Sequence, residues 1–73
     1  MATIQIKAEV SGSVWKIITA VGETVEPGGT LMILESMKME IPVIAEDGGT
    51  VQKFTVAETE AVNEGQIVAV LST

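Results

Sequence analysis

Apolar and β-branched residues along the chain fall in short runs: Thr3 to Ile6, Ser13 to Thr19, Leu31 to Leu34, Ile41 to Ile44, Thr50 to Val56 and Gln66 to Leu71. Each run is bounded by Gly, Pro or acidic residues, the punctuation of strands and turns. The stretch Ile33 to Glu40 is supplied with the helix formers Glu, Met and Lys, but it is short, lacks a 3.6-residue apolar period and is followed by Pro42. A hairpin is therefore expected there, and the fold class is all-β.

The pattern is doubled. Residues 4–36 align on 41–73 without a gap at an offset of 37, with identities at Ile4/Ile41, Ala8/Ala45, Glu9/Glu46, Gly12/Gly49, Val14/Val51, Lys16/Lys53, Ala20/Ala57, Glu23/Glu60, Val25/Val62, Gly28/Gly65 and Leu34/Leu71. Each copy reads as a strand, a Gly turn, a long strand, an acidic loop and a final apolar strand. Such a unit cannot bury its own apolar face, whereas two copies packed together close a flattened barrel or sandwich. Under this pseudo-two-fold, the counterparts of Met37 and Lys38 are the two chain ends. The joining segment is thus expected to be a tight hairpin at one tip, with the termini paired at the opposite tip.

With Met37 and Lys38 as the central residues of the turn, Ser36 pairs with Met39, Glu35 faces Glu40 and Leu34 faces Ile41. Three local rules are then broken. A two-residue hairpin turn favours Asn-Gly or Asp-Gly, because both central residues take positive φ. Two carboxylates stand directly across a strand pair. Two Met side chains flank an exposed tip, unless they fold back over the small core. Rules broken together mark a site in preference to a scaffold.

Composition narrows what that site can be. The 73 residues, a single domain over 1–73, contain no Cys, His or Arg and carry a net charge of −6. Disulfide scaffolds, His- or Cys-based zinc sites and Ser/His or Cys/His catalysis are excluded, and no nucleophile and base pair supports an enzyme. The acidic balance opposes nucleic acid and an anionic membrane as partners. The chain has no apolar run of membrane-spanning length and no recognisable leader, so a cytoplasmic location is expected. The loops Val21 to Val25 and Glu58 to Val62 lack the carboxylate spacing of a calcium loop and read as turns. Gly12, Gly28, Gly49 and Gly65 read as turn or bulge residues. Trp15, whose repeat counterpart is Gln52, reads as a partly exposed strand position.

The segment Glu35-Ser36-Met37-Lys38-Met39-Glu40, midway between two Gly-x-Val…Gly-x-x-Val-x-x-Gly half-repeats, resembles the biotinyl domains of biotin-dependent carboxylases. The chain looks most like the small biotin/lipoyl attachment proteins of that family. The resemblance implies a barrel-sandwich hybrid of two small antiparallel sheets, with biotin joined through its carboxyl group to the amine of Lys38. It further implies that Lys38 is modified by a biotin protein ligase and carries carboxybiotin between the biotin carboxylase and carboxyltransferase components of a carboxylase. Met37 and Met39 would then serve ligase recognition, with Glu35, Ser36 and Glu40 as the hairpin context. Ser36 stands where carboxylase domains usually have Ala, a small residue that leaves a ligase room. Lipoyl domains share the doubled unit but set their lysine between Asp-like and Ala-like neighbours. Lipoate, attached by a lipoyl ligase, is the alternative cofactor, and an unmodified acidic β module that docks a basic protein is a third reading.

Overall fold

The computed structural model describes residues 2–73 and contains eight strands, with no helix among the described residues. They are β1 (Thr3–Lys7), β2 (Gly12–Ile17), β3 (Thr24–Val25), β4 (Gly29–Ser36), β5 (Met39–Ala45), β6 (Gly49–Phe54), β7 (Ala61–Val62) and β8 (Ile67–Ser72). Two four-stranded antiparallel sheets form, in the orders β1-β8-β6-β3 and β5-β4-β2-β7. The all-β expectation and the six long strands hold. Strands β3 and β7 lie inside the acidic stretches read as loops, because two residues are too few to show an alternating pattern and their ladders are made only across the copies. Strands β2 and β6 also end two residues early. Ile18 and Thr55 each still donate one backbone bond, to Leu31 at 3.2 Å and to Val68 at 3.0 Å.

The doubling seen in the sequence is a doubling of the ladders. The pairs Leu34↔Ile41, Ile33↔Pro42 and Met32↔Val43 of β4 and β5 are matched, 37 residues away, by Leu71↔Ile4, Val70↔Gln5 and Ala69↔Ile6 of β8 and β1. The bulges match as well. The register skips Trp15 in β2 and its counterpart Gln52 in β6, which turns the Trp15 side chain outward to 48 % exposure. The chain ends meet where the symmetry requires: Thr3 pairs with Ser72, and the Thr73 N–H donates to the Ala2 carbonyl at 2.9 Å.

The two copies are also laced together. The Thr59 and Gly22 N–H groups donate to the carbonyls of Val14 and Val51 at 2.7 and 2.8 Å. In return, the N–H groups of Val14 and Val51 each reach 2.9 Å from the carbonyls of Glu60 and Glu23. Each loop thus caps the strand of the other copy, which satisfies backbone groups that neither copy satisfies alone. The core is wholly apolar and mostly paired by the repeat, including Val14/Val51, Leu31/Val68, Met32/Ala69 and Leu34/Leu71. No buried side-chain nitrogen or oxygen is left without a partner among the described residues. Pro42 is tolerated because β5 is an edge strand, bonded only to β4.

Candidate functional site

The hairpin joining the copies has the register expected from the sequence: Leu34↔Ile41, Glu35↔Glu40 and Ser36↔Met39, with Met37 and Lys38 in the turn. Both turn residues have positive φ, 52° and 64°, the left-handed conformation of a primed two-residue turn. For residues with a Cβ this costs about 1–2 kcal/mol each. The strain persists because the long β4–β5 ladder fixes the flanking pairs on both sides. Lys38 is exposed, and so are its neighbours, Met37 at 92 % and Met39 at 63 %. The methionines do not fold back over the core; they flank the amine as soft apolar surface.

The internal symmetry provides a control for the charges. At the counterparts of Glu35 and Glu40, the other sheet pairs Ser72 with Thr3. The fold is therefore satisfied by neutral residues at these two positions, and the facing carboxylates belong to the hairpin.

Three residues hold the base of the hairpin: Ser36, Ser11, which the sequence reading missed, and Gly12, which it placed in a turn or bulge. The Ser36 hydroxyl donates to the Ser11 carbonyl at 2.8 Å, and the Ser11 hydroxyl accepts from the Glu64 N–H at 3.0 Å. Ser36 is thus more than a small residue that leaves room, because it ties β4 to the segment entering β2. Ser11 was invisible because its repeat counterpart is Gly48, so no identity flags it. Gly12 carried a signal, its identity with Gly49, but it is neither a turn nor a bulge residue. It opens β2, and a Cβ there would overlap the Glu35 carbonyl oxygen and lie 3.2 Å from the Ser36 Cβ. Gly49 likewise opens β6, with φ +133° and the Ser72 carbonyl 2.7 Å from a built Cβ. Gly28 and Gly65 do occupy turns with φ +84° and +86°, as expected.

The acidic loops use their carboxylates on the backbone. Glu23 and Glu60 accept from the N–H groups of Ala20 and Ala57, both at 3.1 Å, and Glu58 accepts from Ile17 at 2.9 Å. No cluster of metal-ligating side chains occurs among the described residues. Lys7, Lys16 and Lys53 all lie within strands, on β1, β2 and β6. Lys38 is the lysine presented by a turn. Its exposure at a fixed tip fits covalent attachment of a group through the amine.

Comparison with known proteins agrees with this geometry. A family model described as "Biotin-requiring enzyme", for biotin and lipoyl domains, matches residues 2–71. The Biotin/lipoyl attachment protein of Bacillus subtilis is 39 % identical over 67 residues, which is 92 % of this chain and 92 % of that one. The Biotinylated protein TB7.3 homolog of Mycobacterium leprae is also 39 % identical over 67 residues, covering 92 % of this chain and 94 % of its own length. Among solved structures, the Kluyveromyces lactis urea carboxylase superposes with a TM-score of 0.92 at 35 % identity, over 99 % of this chain but only 6 % of that much longer one. The strand topology, the tip lysine and these matches agree: the chain belongs to the family of biotin/lipoyl attachment domains.

Proposed function

We propose that this chain is a biotin carrier, with Lys38 as the attachment residue. The observation that carries the reading is the placement of Lys38 on an exposed, positive-φ turn at the junction of two symmetric halves. A Biotinylated protein TB7.3 homolog and the Biotin carboxyl carrier protein of Streptococcus mutans, 41 % identical over 58 residues, support biotin as the group.

A lysine amine is almost wholly protonated at neutral pH, so its acylation requires a deprotonated nitrogen and an activated acyl carbon. A biotin protein ligase supplies both. Starting from the charged amine counted in the net charge, the Lys38 nitrogen gives up one proton to become the nucleophile and a second as it forms the amide bond to the acyl carbon, while the bond to the activating group breaks and that group leaves with the bonding electron pair. The net charge moves from −6 to −7. Rigid presentation of the turn selects Lys38 over the strand lysines, and Met37 and Met39 give an adaptable contact surface to successive partners. When bound, biotin supplies a ureido nitrogen that accepts and releases a carboxyl group. The protein contributes a handle that moves it between biotin carboxylase and carboxyltransferase partners, and it performs no catalysis itself.

Incubation with a biotin ligase, biotin and ATP should add the mass of one biotinyl group, mapped to Lys38 by peptide analysis. A chain that gains no mass, or a gain that survives Lys38→Arg, refutes the assignment. The combined name of the Bacillus subtilis relative supports a second reading, attachment of lipoate by a lipoyl ligase. Competing the two ligases for one sample ranks the cofactors.

A further inference from the structure

The edge strands β5 and β1, one from each sheet, border two adjoining clefts of about 210 and 200 Å³ that share Glu9, Ile44 and Glu46. The lining of the cleft nearer the hairpin includes Leu34, Ile41, Pro42 and Val43 together with Lys7 and Glu9. We propose that this cleft is a resting site for the bicyclic ring carried on Lys38, in which the ring packs on Ile41 and Val43 while Lys7 and Glu9 meet its ureido group. This inference rests on the carrier reading and specifies a part of the molecule that reading leaves unused.

Reach, chemistry and symmetry support it. Lys38 immediately precedes β5, the strand that lines the cleft. Eleven bonds separate its Cα from the ring of an attached biotinyl group, about 13 Å when extended. At about 3.3 Å per residue, Ile41 lies about 10 Å and Val43 about 16 Å along the strand from Lys38, so the ring arrives between them. A ureido group offers one carbonyl acceptor and two N–H donors. The cleft offers the Lys7 amine as donor and the Glu9 carboxylate as acceptor. Lys16 and Lys53 are repeat counterparts, whereas the counterpart of Lys7 is Ile44, so the doubled fold does not demand a cation there. A short tether holds the ring at an effective concentration on the order of 1 mM, so an intrinsic affinity of similar size populates the site.

The test uses the full chain. In a Lys38→Arg chain, biotin amide should shift the methyl resonances of Ile41 and Val43 and the amide of Lys7 with a Kd of about 1 mM. Lipoamide, which has no ureido group, should leave them in place, and Lys7→Gln should weaken the biotin amide response at least about threefold. Biotinylation of the unsubstituted chain, confirmed by mass, should move the same resonances in the same direction. Shifts confined to Met37 through Met39 on biotinylation, or no response to biotin amide, overturn the resting site while the carrier reading stands. Absence of mass gain at Lys38 overturns the carrier reading, and the titration of Lys38→Arg reports on the cleft independently of it.

Discussion

Gly12 and Gly49 are repeat counterparts in equivalent backbone contacts, but only Gly12 lies against the hairpin that presents Lys38. In Gly12→Ala the new Cβ overlaps the Glu35 carbonyl oxygen and crowds the Ser36 Cβ, so relief to ordinary contact moves backbone by about 1 Å. Inserting one methyl into a packed region costs about 1–3 kcal/mol, and each kcal/mol lowers the Tm of a domain this size by about 4–8 °C. Gly49→Ala meets the Ser72 carbonyl at 2.7 Å and adds the strain of φ +133°, about 1–3 kcal/mol more. Circular dichroism should therefore show both variants losing about 5 °C or more, with Gly49→Ala the less stable. The functional outcome should be the reverse. Biotinylation by a ligase, followed by intact mass at a temperature where both variants are folded, should slow in Gly12→Ala, because a misplacement of about 1 Å at a reacting group costs up to about 100-fold in rate. Gly49→Ala, acting near the chain ends, should be modified at the wild-type rate. An unchanged Tm in Gly12→Ala, or equal slowing in the two variants, would refute the reasoning.

Thr59 has φ +73°, and its repeat counterpart is Gly22 at φ +92°; relief of about 1–2 kcal/mol of left-handed strain exceeds the roughly 0.4–1 kcal/mol lost through a more flexible unfolded chain. Thr59→Gly should raise the urea midpoint, and a lower one would show that the Thr59 conformation is unstrained. Glu35→Gln should stabilise the hairpin by a few tenths of a kcal/mol by removing the repulsion across Glu35 and Glu40, most visibly at low salt; a stability loss at low salt contradicts repulsion between the facing carboxylates. Leu71→Ala, at a fully buried core position, should cost about 2–5 kcal/mol, read as a large fall in the denaturation midpoint. Ser36→Ala should speed amide hydrogen exchange at the base of the hairpin by about two- to tenfold, since a typical hydrogen bond is worth about 0.5–1.5 kcal/mol.

The sequence by itself determined the features that depend on near neighbours and on repetition. Alternating short runs and the offset of 37 establish an all-β doubled unit, and the two-residue spacing between Ser36 and Met39 establishes the turn, its register and its central lysine. These were legible because strand alternation and hairpin closure are local: the period of two fixes which residues face each other once the turn is placed. Tertiary structure decided what depends on contacts between the copies. Strands β3 and β7 exist only because each pairs with a strand of the other half, and two residues carry no pattern of their own. Gly12 is required by the nearby Glu35 carbonyl rather than by its own φ, Ser11 serves the hairpin through a bond 25 residues along the chain, and the Lys7 cleft forms between edges of two different sheets. Each is a close approach of segments distant in sequence, and no local propensity encodes the separation between two backbones before they pack.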